Sequence, residues 1–243
     1  EDVAFDEATC LIKHSIGDYY GFKAGSATNV SGTNLKSIKA VKEDGFYGFE
    51  LEANDSDHIT VTKNIMIVTS RDQETEQHPL MDVVRSLINT VKPISYDTLE
   101  QDHILAYQEA FKYFDVTIEG DPEIDGYLRY ANYQTIISAA RHDHVHSLSA
   151  KGLTGEKYNQ FVWWDAESYQ LPIFTRAYPD ITKHALMYRY DRLEQAKENA
   201  KLENKRGAKY PFVSSVKGDE KIWPYARHPF MQIHINSDIA YAI

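Results

Sequence analysis

The sequence has one cysteine, Cys10, so no disulfide can close within the chain, and the reducing cytoplasm is the expected compartment. No apolar run approaches the roughly 20 residues that span a bilayer, and no leader-like segment is visible. The first residue is Glu1 rather than methionine, so an intact translation start is not expected here. A basic surplus is also missing: 26 Lys and Arg stand against 36 Asp and Glu, for a formal net charge of −10. Phosphate backbones are bound by clustered cations, so no nucleic-acid partner is expected. The most basic stretch, Lys197 to Lys209, is interleaved with Glu198 and Glu203 and reads as a solvated helix face. There is no internal repeat and no low-complexity tract. Two Asn-X-Ser triplets, at Asn29 and Asn54, fit the glycosylation pattern, which is common by chance and carries no weight in a cytoplasmic chain.

What remains is an ordinary globular composition over 243 residues, 42% hydrophobic and 26% charged, enough for one large domain or two smaller ones. The first 70 or so residues read as strands: Phe46 to Leu51 and Ile59 to Thr62 are β-rich, the Tyr19–Phe22 patch fits another strand, and Ile65 to Thr69 reads as a short buried strand. After Arg71 the texture changes. Gln73 to His78 is a polar loop, Pro79 opens a helix, and a second helix is expected from Tyr96 to Phe114, with Asp97, Glu100 and Asp102 as its solvated start. Asp121-Pro122-Glu123 is a strong helix start because Asp caps, Pro fits the first turn and Glu favours the positive dipole end. That helix is expected to reach Arg141, with Ile124, Tyr127, Leu128 and Ala131 on one face. Further helices are expected over Glu167–Ala177, from Pro179 to about Asn204 with Gly207 as its stop, and from Asp238 onward. The order is therefore a β region, a helical connector and an all-α region.

Two segments could carry chemistry. Gly152 to Glu156 is a glycine-containing loop, and Val162-Trp163-Trp164-Asp165-Ala166-Glu167 follows it. Aromatic faces stack on the apolar C–H face of a pyranose, and carboxylates accept hydrogen bonds from paired hydroxyls, so the combination fits a sugar site. The alternative is that the tryptophans are core and the acids cap the next helix. His142-Asp143-His144-Val145-His146 could present alternate imidazoles to a zinc ion on one strand face, although a loop rarely presents three such close ligands well. His234 and Asp238 lie four apart, on one face of a helix, either as a local hydrogen-bonded pair or as a pocket lining. Cys10 reads as a packed residue, with no recognised histidine partner for nucleophilic work.

These segments resemble glycoside hydrolase family 65, the maltose and trehalose phosphorylase family. Gly152 to Asn159 resembles the family's loop, and Trp164-Asp165-Ala166-Glu167 resembles its Trp-Asp-Thr-Glu motif. Thr69-Ser70-Arg71-Asp72, Ile118 to Glu123, Leu186 to Tyr190, Gly207 to Pro211 and Gln232 to Tyr241 resemble further family segments in the same order. The resemblance covers most of the chain from about residue 60. It implies the end of a β-sandwich over 1–72, a helical linker over 73–117 and the first part of an (α/α)6 barrel over 118–243. It implies a parent that phosphorolyses an α-linked glucose disaccharide with inversion, giving β-glucose 1-phosphate, with inorganic phosphate as a substrate and no organic cofactor. It places Trp164, Asp165, Glu167, Glu156, Tyr210, His234 and Asp238 around the disaccharide, leaves the His142–His146 stretch without a metal, and implies a second copy as partner of the full-length parent. Trp164 and Asp165 are expected to share a concavity with the Gly152–Glu156 loop.

The departures lie near that pocket. The family usually has Gly-His where Gln160-Phe161 stand, Phe for Trp163, Thr for Ala166 and Trp for Phe212, which bears on substrate preference. The family's general acid is a Glu in a Gly-Pro-Asp-Glu-Tyr type motif, and no such motif occurs in these 243 residues. No catalytic residue is therefore assigned in this chain, and a missing C-terminal segment of the same enzyme is its expected partner. A hydrolytic relative such as an acid trehalase, a non-catalytic carbohydrate-binding remnant and a metal-dependent hydrolase are the alternative readings.

Overall fold

The computed structural model describes residues 2–6, 8–15, 22–55, 58–139, 141, 145–152, 157–223 and 225–243, which form two compact units divided after Leu105. The long strands precede the helices, as the sequence pattern predicts, but the region expected to be all-α also holds a two-residue ladder, Val162–Trp163 with Val213–Ser214.

In the first unit, β1 (Asp2–Asp6), β2 (Thr9–Ser15), β3 (Lys23–Thr33) and β6 (Thr60–Thr69) make an antiparallel sheet in the order β1-β2-β3-β6. Between β3 and β6 the chain forms a separate hairpin of β4 (Leu35–Glu43) and β5 (Phe46–Ala53). Its turn is Asp44-Gly45, both with positive φ (28° and 83°), the two-residue geometry whose twist matches antiparallel strands. One face of the four-stranded sheet receives α1 (Leu80–Val91), and Leu11, Ala27, Val68, Val83, Val84 and Ile88 form the core between them. Gly25 on β3 permits this approach, since a Cβ there would lie 2.9 Å from a Val84 methyl and 3.0 Å from the Met81 sulfur.

The expectation of a fully buried strand at Ile65–Thr69 is corrected. Val68 is buried, whereas Ile65 and Ile67 are 56% and 68% exposed. Successive strand side chains point to opposite faces, and α1 covers only one of them. Tyr19 to Gly21, part of another expected strand, lie outside the described residues.

The division between units falls within α2 (Tyr96–Phe111). The second unit contains α3 (Pro122–Ile137), β7 (Val162–Trp163), α4 (Leu171–Ala177), α5 (Pro179–Tyr190), α6 (Leu193–Leu202), β8 (Val213–Ser214) and α7 (Ile235–Ala242). Asp121 caps α3 as its sequence predicts, accepting from the amides of Glu123 and Ile124 at 3.1 Å each. The helix ends at Ile137, short of Arg141, where the Ser138 hydroxyl donates to the Thr135 carbonyl at 2.7 Å. Its expected apolar face is not covered: Ile124 and Tyr127 are exposed, and burial comes instead at Ile136.

The single helix expected from Pro179 to Asn204 is two helices. Arg192 sits at the break, donating to the carbonyls of Tyr188 (3.0 Å), Val216 (2.8 Å) and Val145 (2.9 Å). The stop is Asn204, not Gly207. Asn204 takes the left-handed conformation (φ 57°), its amide donates to the Lys201 carbonyl, and the Lys205 amide donates to the Ala200 carbonyl, each at 2.9 Å. The unit's larger core gathers Phe114, Leu148, Leu171, Phe174, Ile181 and Tyr188, and a second cluster gathers Phe212, Val213, Ile222, Ile235 and Ile239.

Candidate functional site

The Trp163-Trp164-Asp165 segment leaves a short ladder. Val162 pairs with Ser214 and Trp163 with Val213, and the Trp164 amide extends the ladder by donating to the Phe212 carbonyl at 3.1 Å. The opposite strand is fixed by Glu220, whose carboxylate accepts from the amides of Phe212 (2.7 Å), Val213 (3.0 Å) and Ile222 (3.2 Å). Beyond Asp165 the chain turns into a π-helical stretch, Ala166–Gln170, that continues as α4. Wide turns of this kind often occur at functional sites, because they place side chains that an α-helix would rotate away.

The Trp164 ring has aromatic neighbours on several sides. The His234 imidazole meets it edge-on at 4.8 Å between centroids, and Phe212 and Tyr169 lie 6.0 and 6.1 Å away. His234 is held at both nitrogens: Nδ1 is 2.6 Å from Asp238 Oδ2 and Nε2 is 2.7 Å from Gln232 Oε1. The structure thus makes the local His234–Asp238 pair and sets its imidazole against Trp164.

Asp165 is half-buried, and its Oδ1 is shielded from solvent with no hydrogen-bond partner among the described residues. Burial raises its carboxyl above the usual aspartate range; a backbone hydrogen bond works against this, and the nearby Glu167 charge adds to it. Trp163 Nε1 is likewise buried, with no partner among the described residues.

Glu167 sits differently. It is 1% exposed and both oxygens are engaged by Arg189, Oε1 by Nε at 2.6 Å and Oε2 by Nη2 at 3.1 Å. With no oxygen left open, its position is behind the site rather than on its surface. Tyr210 is also occupied: its hydroxyl donates to the Arg189 carbonyl at 3.1 Å, its amide donates to Asn236 Oδ1 at 3.1 Å, and burial raises its phenol. No local pattern in the sequence marks Glu220 as the anchor of β8. For Arg189 the signal is a charged residue between two tyrosines, Tyr188 and Tyr190, on a helix.

Glu156, with Leu153 to Gly155, lies outside the described residues, and so do His142, Asp143 and His144 of the metal reading. Among the described residues, no three His, Cys, Asp or Glu side chains gather closely enough to hold a metal ion. The described start of the loop faces a cleft of about 300 Å³ whose lining includes Gln134, Ser138, Ser149, Lys151, Gly152 and Gln170, but neither Trp164 nor Asp165. The loop's end is a turn of three consecutive left-handed residues, Tyr158, Asn159 and Gln160 (φ 64°, 54° and 57°). Gln160 Oε1 accepts from the Ser149 hydroxyl at 3.1 Å, and the Tyr158 ring meets Trp163 edge-on at 4.8 Å. A left-handed position is one where glycine costs nothing, which accounts for the glycine expected there from the resemblance.

Cys10 is buried in the first unit, and burial raises its thiol. No helix among the described residues is long and apolar enough to cross a membrane.

Residues 129–243 match the glycosyl hydrolase family 65 central catalytic domain. The chain is 52% identical over 183 residues to 3-O-alpha-D-glucosyl-L-rhamnose phosphorylase of Lachnoclostridium phytofermentans, a match covering 75% of this chain and 23% of that protein. It is 33% identical over 253 residues to kojibiose phosphorylase of Thermoanaerobacter brockii, covering 100% of this chain and 32% of that protein. It is 34% identical over 187 residues to maltose phosphorylase of Bacillus subtilis, covering 76% and 24%. The solved structure of a candidate kojibiose phosphorylase from the human microbiome shares the fold, with a TM-score of 0.80 at 21% identity over 100% of this chain and 32% of that one. The chain thus spans about a quarter to a third of the length of these relatives.

Proposed function

The chain belongs, through residues 129–243, to glycoside hydrolase family 65, and we propose that it carries the non-reducing-glucose end of the pocket in an inverting α-glucoside phosphorylase. In this reading residues 1–72 are the end of a β-sandwich, 73–117 a helical linker and 118–243 the opening of an (α/α)6 barrel. The observation that carries it is the Trp164–Asp165 pair: an aromatic ring walled by His234 and Phe212, beside a half-buried carboxylate with an oxygen that has no hydrogen-bond partner among the described residues.

The chemistry follows from those groups. The C–H face of the glucose ring stacks on Trp164, and Asp165 accepts from neighbouring hydroxyls. Asp238 and Gln232 hold His234 as a fixed wall, and the resemblance adds Glu156 and Tyr210 to the residues around the same sugar. Inversion needs an acid on the leaving oxygen and a phosphate attacking C1 from the opposite ring face, giving β-glucose 1-phosphate. Neither group is assigned within these 243 residues, so the chain's own part is to bind and orient the glucosyl unit. Phosphate as co-substrate, no organic cofactor, a cytoplasmic location and a dimer of the full-length enzyme complete the reading.

The acceptor sugar admits a second reading. The relative at 52% identity is named for a glucosyl-L-rhamnose substrate, while those at 33% and 34% are named for kojibiose and maltose. The higher identity favours a 6-deoxyhexose acceptor over glucose.

The test is calorimetric titration of the chain with D-glucose and with glucosyl disaccharides. Hydrogen bonds to a charged group contribute about 1.5–3 kcal/mol, so Asp165→Ala is expected to weaken glucose binding about 10- to 100-fold. Undiminished binding in that variant refutes the site. Phosphate-dependent release of glucose 1-phosphate by the full-length enzyme, against phosphate-independent release of glucose, separates a phosphorylase from a hydrolytic relative.

A further inference from the structure

The charged pair behind the site is completely withdrawn from solvent: Arg189 and Glu167 are each 1% exposed. Neither can touch a sugar, and a buried ion pair contributes little net stability, because desolvating both charges offsets their attraction. Its placement suggests another use. Residues 163 and 167 flank the Trp164–Asp165 dipeptide on either side, and one guanidinium reaches both. Nε and Nη2 grip the Glu167 carboxylate in a two-point fork, and Nη2 also lies 3.5 Å from the Trp163 carbonyl, a weak second bond. From the other side the dipeptide is tied to the Phe212 carbonyl through the Trp164 amide. The arginine is itself fixed, since it lies in the last turn of α5 and its own carbonyl accepts from the Tyr210 hydroxyl.

We infer that Arg189 and Glu167 are positioning residues, a buried clamp that sets the direction of the Trp164 ring and the Asp165 carboxylate. The inference rests on the reading of Trp164–Asp165 as a glucose site, and it deepens that reading by naming what orients it. The clamp also accounts for the π-helical turn at Ala166–Gln170. The turn carries Glu167 inward to the arginine, and the anchored carboxylate in turn holds the wide turn in place.

The test labels the chain with 5-fluorotryptophan and follows the resonances of Trp163, Trp164 and Trp223 by ¹⁹F NMR, assigned by Trp→Phe replacement. Two variants are compared with the unaltered chain. Arg189→Lys keeps the charge and loses the fork. Glu167→Met combined with Arg189→Leu replaces the pair by apolar side chains of similar volume, a change that buried pairs often tolerate without loss of stability. The expected result is a folded chain in which the Trp164 line broadens or splits, the Trp223 line stays put, and D-glucose affinity falls about tenfold or more. A sharp, unshifted Trp164 line in either folded variant overturns the proposal. Loss of folding in both variants overturns it too, in favour of a plain structural role. Failure of the glucose-site reading looks different: the unaltered chain then shows no Trp164 response to D-glucose, while the line shape in the variants still decides the clamp.

Discussion

Trp164 and His234, 70 positions apart, meet edge to face with their ring planes at 83° and their centroids 4.8 Å apart. The imidazole has both nitrogens engaged, by Asp238 and Gln232, so its orientation is fixed. An aromatic contact of this kind contributes about 0.5–1.5 kcal/mol beyond its buried area. His234→Ala is therefore expected to lower stability by roughly 1 kcal/mol and to weaken glucose binding severalfold, with a change in tryptophan emission. Chemical denaturation followed by fluorescence checks the first, and titration with glucose the second. An unchanged emission spectrum contradicts the contact.

Asp165 makes a pH prediction. Burial raises its folded-state pKa above the unfolded value, so the folded chain holds the proton more tightly. Stability from this group is fully present below the unfolded pKa and is lost as pH rises through the folded one. Asp165→Asn removes the buried charge, so the variant should melt above the unaltered chain at neutral pH. That advantage should shrink as pH falls through the raised pKa and vanish in stronger acid. Melting curves from pH 3 to pH 8 test it, and a gap that is independent of pH rules it out.

The helix starts were legible because they are local chemistry. Asp121-Pro122 and Pro179 mark helix starts within a residue or two of where they occur, since a cap or a fixed φ acts on its own neighbours. The break between α5 and α6 was not legible. Arg192 makes it by reaching carbonyls 24 and 47 residues away, and no window of sequence contains those partners. The same reason hid the clamp on Glu167, whose partner is 22 residues distant. At Ile65 and Ile67 the pattern misled: a run of apolar residues does not say how many faces of its sheet are covered. The reading of Trp164–Asp165 as a sugar site comes from the resemblance; from residue types alone, packed tryptophans with capping acids are the better reading.

Turnover by the chain alone is a third prediction. No Gly-Pro-Asp-Glu-Tyr type segment occurs in residues 1–243, and general acid assistance contributes about 10²–10⁴-fold. Purified chain incubated with phosphate and maltose, kojibiose, nigerose or trehalose should release no measurable glucose 1-phosphate. Release that Asp165→Ala abolishes would show that the catalytic groups lie within this chain after all.

The surface of the second unit makes a fourth. Met231, Ile233, Tyr241 and Ile243 are all more than three-quarters exposed, within one short stretch of chain. Exposed large apolar side chains favour association when they lie together on a surface. The chain is expected to self-associate, eluting above 27.9 kDa with a broad melting transition. A monodisperse monomer with one sharp transition refutes this.

The buried fork also restricts how the sequence can drift. A lineage that replaces Arg189 or Glu167 singly passes through a chain with an unpaired interior charge, at a cost of about 3–5 kcal/mol, against a total margin of roughly 5–15 kcal/mol for a folded domain. Few such intermediates would survive. The two positions are therefore expected to be inherited together or exchanged together, while Trp163 and Phe212, which strand no charge when replaced, can exchange singly for aromatic side chains of similar size.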